Sequence, residues 1–192
     1  MNKLLGFYEL KKSALPTIPW KEFTETTELE EDKLWTIRTA VYSENDTNLP
    51  RSVGKHACVS QQFAKEQLKK LKDTGIVIYY PYFNAEKSGN IILSKDNILI
   101  EAINGDLWNL TNGKTPDYRY NNGKVELGID FLQDKELKEL LYYTEKIKTM
   151  FPQIQRGNKS VIIEFSYAYN TNLKKENIGE RYLVFYEIKE IN

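Results

Sequence analysis

Two glutamates stand inside runs that are otherwise apolar: Glu164 in Val161-Ile162-Ile163-Glu164-Phe165, and Glu187 in Leu183-Val184-Phe185-Tyr186-Glu187-Ile188. Both runs are rich in β-branched and aromatic residues and read as strands, Ser160 to Ala168 and Arg181 to Ile191, joined by the polar loop Tyr169 to Glu180. A carboxylate in such a run costs free energy unless it is paired or holds a cation. If the two strands form a hairpin, the carboxylates lie side by side and repel unless a cation sits between them. Mg²⁺ suits that place, because it takes hard oxygen ligands, commonly one or two carboxylates completed by phosphate oxygens and water. The competing reading is a pair of exposed, alternating residues on an edge hairpin, and the residues alone leave both open.

The rest of the chain alternates between periods of two and of about three and a half, with no repeat or low-complexity tract. Residues Met1 to Lys12 are mixed. Ala14 to Trp20 is an extended segment punctuated by Pro16 and Pro19, and Glu22 to Asp32 is a polar surface helix or loop. Leu34 to Tyr42 reads as a strand and Ser43 to Gly54 as a turn-rich loop. Phe63, Ala64, Leu68 and Leu71 mark an amphipathic helix over Ser60 to Lys72. Ile76 to Phe83 is a buried strand that should end near Pro81. Asn90 to Ser94 with Asn97 to Ala102 forms one hairpin, and Tyr118 to Leu127 forms another around Asn121-Asn122-Gly123. Lys135 to Phe151 is the second clear helix. The expected class is α+β, with mainly antiparallel sheet and two principal helices in two small lobes, residues 1–83 and 84–192.

Composition excludes several functions. With 27 basic and 27 acidic side chains the formal net charge is zero, so no general field draws the chain to nucleic acid or to an anionic membrane. One cysteine, Cys58, rules out an internal disulfide framework, and with His56 it supplies too few soft ligands for a structural zinc. No apolar run approaches the roughly 20 residues of a spanning helix, and a cytoplasmic location is expected.

Arg38 lies mid-strand on the same face as Thr36 and Ala40, where a fixed backbone presents its fork of donors to phosphate oxygens; a solvated sheet face is the plainer reading. Glu86-Lys87-Ser88-Gly89 reads as a turn after a buried strand, able to offer backbone amides and Lys87 to an anion.

Taken in order, these segments resemble the nucleotide-binding domain of phosphoenolpyruvate synthase and pyruvate phosphate dikinase, a domain of the ATP-grasp superfamily. WTIRTAV resembles that family's "VRSSA" arginine strand, and IVIYYPYFNAEKSGNI its "VVQKMV…SGV" hinge. IEAINGDLWNLTNGKTPDYRY resembles "GLGE…VVxGxxTPDxY", and VIIEFSY with YLVFYEIK resembles "DIEW/DIEF…LYxLQxRP". ALPTIPW is similar to "GLPVPPGF". The matches cover most of the chain, and their order is their specific part.

The resemblance implies ATP and Mg²⁺ as cofactors. It makes Arg38 the triphosphate ligand, Tyr79, Tyr80 and Tyr82 part of the adenine hinge, and Glu164 and Glu187 the magnesium ligands. Lys189 falls at the position of a phosphate-contacting arginine; Lys87, from the reading of its own segment, is a further cofactor-binding candidate. Asp106, with Glu101, falls near the family's "GLGE" glutamate and is a candidate for orienting a phosphoryl acceptor or a second cation. Three departures stand out: Glu187 replaces a glutamine, Lys189 lacks an arginine's fork, and the glycine-rich "GGKG" segment has no counterpart. A chain of 192 residues cannot also hold the family's swivelling and pyruvate-binding domains, so the full synthase reaction is excluded for it alone. His56, faintly similar to a phosphohistidine motif, reads as a plain loop histidine. The expected function is an ATP·Mg-binding phosphotransferase- or ligase-like protein acting on an unidentified protein or small-molecule acceptor. The alternative is a non-catalytic nucleotide sensor or scaffold of the same kind. In an aromatic-rich interaction protein without a nucleotide site, Arg38, Glu164 and Glu187 would not converge.

Overall fold

The computed structural model describes residues 1–43, 49–111, 113–157 and 159–191. Among the described residues, ten strands form two sheets in which every strand pairing is antiparallel, and five helices accompany them. The α+β expectation with mainly antiparallel sheet holds.

The smaller sheet has the order β1-β4-β2-β3, with β1 Lys21–Glu22, β2 Leu34–Val41, β3 Arg51–His56 and β4 Gly75–Pro81. Strand alternation divides β2 and β4 cleanly. Trp35, Ile37 and Val77 turn to one face, where Ala57 and Ala64 of α2 (Ala57–Lys70) cover them together with Phe23 and Leu29. Thr36, Arg38 and Ala40 turn to the other, with Ile76, Ile78 and Tyr80 beside them in register.

The larger sheet has the order β10-β9-β5-β6-β7-β8. Its strands are β5 Phe83–Leu93, β6 Ile98–Asn104, β7 Tyr118–Asn121, β8 Lys124–Leu127, β9 Ser160–Thr171 and β10 Asn177–Ile191. Helices α4 (Asp134–Met150) and α5 (Pro152–Gln155) press Leu140, Ile147 and Ile154 onto one face of it, against Ile91, Leu93, Ile100, Val161, Ile163 and Phe165. Gln133 and Glu136 close a capping box at the start of α4. A third core joins the sheets: Leu4 and Phe7 of α1 (Lys3–Lys12), Ile18 and Trp20, then Ile78 and Tyr80 from one sheet and Ala168, Val184 and Tyr186 from the other.

Several expectations are corrected. Residues read as mixed at the N-terminal end form α1, capped by the Asn2 side chain and buried along Leu4, Gly6, Phe7 and Leu10. Leu5 and Tyr8 are exposed between them, which spreads the apolar residues around the helix and hides its period. The turn-rich loop lies partly outside the described residues, at 44–48, and its end is β3, paired with β2. α2 begins at Ala57 rather than Ser60. The segment Glu22 to Asp32, read as a helix or loop, is a loop beyond Glu22, which ends β1. Glu86 to Gly89 is no turn but the middle of β5, with a bulge against β9 between Ala85 and Lys87. The break falls earlier, at Tyr82, where the chain crosses from one sheet to the other.

Candidate functional site

Between the sheets, beside the core that joins them, lies a cavity of about 430 Å³, within the range of about 300–1,000 Å³ common for small-molecule sites. Thr36, Arg38, Arg51, Val53 and Tyr80 line it from the smaller sheet. Ser88, Glu164, Ser166, Tyr186, Glu187 and Lys189 line it from the larger one. Tyr82 and Phe83 line it at the crossing, Lys3 of α1 reaches in, and Gly105 to Trp108 form a rim next to α3 (Trp108–Thr111). The distant trio Arg38, Glu164 and Glu187 therefore meets in one place.

Glu164 and Glu187 are register partners on β9 and β10. A bulge brings them together. Phe185 pairs with Phe165 and Glu187 with Glu164, so Tyr186 is extra, and Phe185 and Ile188 both face the core under α4 while Tyr186 and Glu187 both face the cavity. An unbroken alternation would have put Glu187 on the core face with Phe185.

Glu187 is 5% exposed, accepts a hydrogen bond from Arg38 Nη2 at 2.7 Å through Oε2, and has Lys3 Nζ 3.5 Å from Oε1. Burial works to raise its pKa, but Arg38, Lys3 and Lys189 outweigh it and hold the carboxyl below its ordinary value. Glu164 has neither a hydrogen bond nor an ion pair among the described residues. Burial first, and then repulsion from Glu187, push its pKa up to about 7, against the pull of Arg38, Lys189 and Lys3. The two acids divide the work of a coupled pair, one ionised and one proton-holding near neutrality. Burial also opposes the charge on Arg38, yet Tyr80, Glu187 and Glu164 more than offset it and the guanidinium stays firmly protonated.

Arg38 also faces Arg51 directly across β2 and β3. Like charges in register destabilise a sheet, and here both line the cavity. Arg51 lies over the ring of Trp108 at 4.6 Å, which fixes it at the rim. Lys3, Arg38, Arg51 and Lys189 set four cations against Asp106, Glu164 and Glu187. The arrangement suits a polyanion.

Of the sequence-derived candidates, Arg38, Tyr80, Tyr82, Asp106, Glu164, Glu187 and Lys189 line the cavity. Asp106 accepts a hydrogen bond from the Trp108 amide at 2.8 Å. Tyr79 does not join them, since it faces α2 and meets the rings of Phe23 and Trp35 at 6.0 and 5.5 Å. Lys87 is also elsewhere: on the α4 face it donates to Glu136 Oε2 at 2.9 Å and to the Phe131 carbonyl at 2.7 Å. Glu101 is engaged by Arg119 on the neighbouring strand. His56 ends β3 and precedes α2, away from the cavity lining. Sequence reasoning missed Lys3, Arg51, Tyr186 and Trp108. The alternating pattern that would have flagged Arg51 is weak, because β3 is largely exposed.

No protein-family model matches the chain, and no curated protein matches it. Among solved structures it is similar to N5-carboxyaminoimidazole synthetase from Staphylococcus aureus, at 12% identity and a TM-score of 0.49 over 97% of this chain and 43% of that one. It is likewise similar to an L-amino acid ligase from Bacillus licheniformis, at 12% identity and a TM-score of 0.46 over 97% of this chain and 39% of that one. The chain thus spans less than half the length of either structure.

Proposed function

We propose that the cavity binds ATP with Mg²⁺ and that the protein is a phosphotransferase- or ligase-like domain of the ATP-grasp kind. One observation carries the reading: Arg38, Glu164 and Glu187, on strands far apart in sequence, converge in a cavity between two antiparallel sheets. Arg38, Arg51 and Lys3 would bear on the phosphates, with Lys189 at the terminal one, and Tyr80, Tyr82 and Phe83 would flank the base. The finer likeness, to the phosphoenolpyruvate synthase and pyruvate phosphate dikinase type, rests on the order of the sequence segments.

The donor set fits Mg²⁺. Two carboxylates in register supply hard oxygens, and the rest of an octahedron is left to phosphate and water. Opposite Glu164 on β5, the Oδ1 of Asn90 is buried without a hydrogen-bond partner among the described residues, an acceptor suited to a water on such an ion. When bound, the ion would neutralise charge gathering on a transferred phosphoryl group. The protein's own part is to hold Arg38 in place through Glu187 and to keep cations aimed where that charge develops. Asp106, at the rim beside Tyr82, would hold a second cation rather than the acceptor.

A second reading, nucleotide binding without transfer, draws support from Glu187, already neutralised by Arg38 and Lys3. Two measurements separate the possibilities. ATP with Mg²⁺ at about one hundred times its dissociation constant should stabilise the fold by about 2.7 kcal/mol; no shift in melting with any nucleotide refutes the site. Labelled ATP then reports transfer: ADP formed with an acceptor supports catalysis, and an unchanged nucleotide pool despite tight binding supports the sensor.

A further inference from the structure

Beyond the cavity, and past α1 where it packs on β10, the same face of the larger sheet continues across β9, β5 and β6. Because directly paired residues share a face, the register can be followed across the strands. One row runs Glu187, Glu164, Asn90, Glu101, Arg119 from β10 to β7. The next row runs Lys189, Ile162, Ile92, Leu99, Asn121. The residues between them, Ile163, Ile91 and Ile100, point the other way and are fully buried under α4. Ile162, Ile92 and Leu99 are only partly buried and join none of the hydrophobic cores of the described residues. Three large aliphatic side chains in line, left partly open to water, call for an occupant.

Lys189 gives that occupant its charge. It stands at the head of the apolar row and also lines the cavity, so the row is continuous with the nucleotide end of the site. We propose that this face is the acceptor subsite and that it takes an elongated monocarboxylic acid, its carboxylate on Lys189 and its apolar tail across Ile162, Ile92 and Leu99. The geometry fixes the size class. Three strand spacings separate Lys189 from Leu99, about 14 Å, which a chain of about eight to ten carbons covers. The head would lie next to Glu164, where the terminal phosphate is placed by the nucleotide reading. The subsite rests on that reading for its role, though not for its ability to bind.

The test uses the isoleucine methyl resonances of the whole chain, with octanoate, acetate and octylamine as probes, in the presence of Mg²⁺ and a non-hydrolysable ATP analogue. Octanoate should shift the Ile92 and Ile162 methyls with half-saturation at least about tenfold below that of acetate, since each buried methylene adds affinity. Octylamine, with the wrong charge at Lys189, should leave them unmoved. Leu99→Asp should weaken octanoate by more than about tenfold, and the milder Leu99→Asn, read beside it, covers a loss of folding. Octanoate no better than acetate, or octylamine equal to octanoate, overturns the proposal. So does a concentration-dependent dimer, seen by sedimentation, that buries the same methyls without ligand. Octanoate binding in a protein whose melting ignores ATP would keep the subsite and remove the nucleotide reading instead.

Discussion

Replacing Glu164 with glutamine should stabilise the fold in mild alkali and at the same time weaken magnesium-dependent ATP binding. Folding raises the pKa of this carboxyl from 4.5 to about 7. The folded chain therefore holds the proton more tightly than the unfolded chain does. This group favours folding in acid, and its contribution drains away as pH climbs from about 4.5 through 7. Linkage puts the accumulated loss at about 3 kcal/mol by pH 8 and below about 1 kcal/mol at pH 5. Glutamine has the same shape and cannot ionise, so E164Q escapes that loss, discounted to about 2–3 kcal/mol because Glu187 shares the charge. For a chain of this size, the melting temperature of E164Q should exceed that of the wild type by roughly 4–12 °C at pH 8 and differ by less than about 3 °C at pH 5. Glu187 has the opposite sense, its pKa lowered, so it stabilises above about 4.5 and loses this in acid; being present in both proteins, it largely cancels. Calorimetric melts at the two pH values decide the matter. An equal difference at both, or an E164Q less stable at pH 8, would refute the reasoning. In the same variant, ATP affinity with Mg²⁺ should fall far more than affinity without it, and equal losses would contradict the ligand role.

Other perturbations probe the supports of the site. Arg38→Met leaves Glu187 buried with Lys3 at 3.5 Å and the weaker pull of Lys189; denaturant titration should show a loss of about 3–5 kcal/mol. Arg51→Ala removes an exposed side chain, so stability should move by no more than about 0.5 kcal/mol. Calorimetric titration of the same variant should show ATP binding weakened by roughly tenfold, about 1.4 kcal/mol. Gly6→Ala would bring a Cβ to 2.0 Å from the Ile188 carbonyl oxygen, forcing α1 off β10. It should cost about 1–3 kcal/mol, with amide exchange quickened in α1 and unaltered in α4.

Much of this was legible because period and chemistry disagree at few places in the chain. The apolar alternation that defines β2, β9 and β10 is the background against which Arg38, Glu164 and Glu187 stand out, and their convergence needs only that the sheets face one another. Parity along β4 separates Tyr80 from Tyr79, a distinction available from alternation and overlooked. Lys3 and Arg51 were not legible for a different reason. Leu5 and Tyr8 blur the helical face of α1, and β3 has too few buried side chains to show a period of two. Lys87 was misplaced because Glu86 and Lys87 resemble a turn until their partners are known. Arg181 with Glu86, and Glu136 with Lys87, turn four charges into a bridge between the hairpin and α4. Such long-range pairing leaves no local mark.

The offset at Tyr186 makes the two ends of the last hairpin unequal before mutation. Near its tip, between Thr171 and Asn177, gaining or losing a residue lengthens or shortens a solvated connection and changes little else. Between Phe185 and Ile188, losing one residue erases the bulge and takes either Tyr186 or Glu187 out of the cleft, while straightening the strand with both kept would deliver an acid to the oily side and an aliphatic chain to the cleft. Drift in chain length is thus confined to one end of the ribbon, and the chemistry to the other.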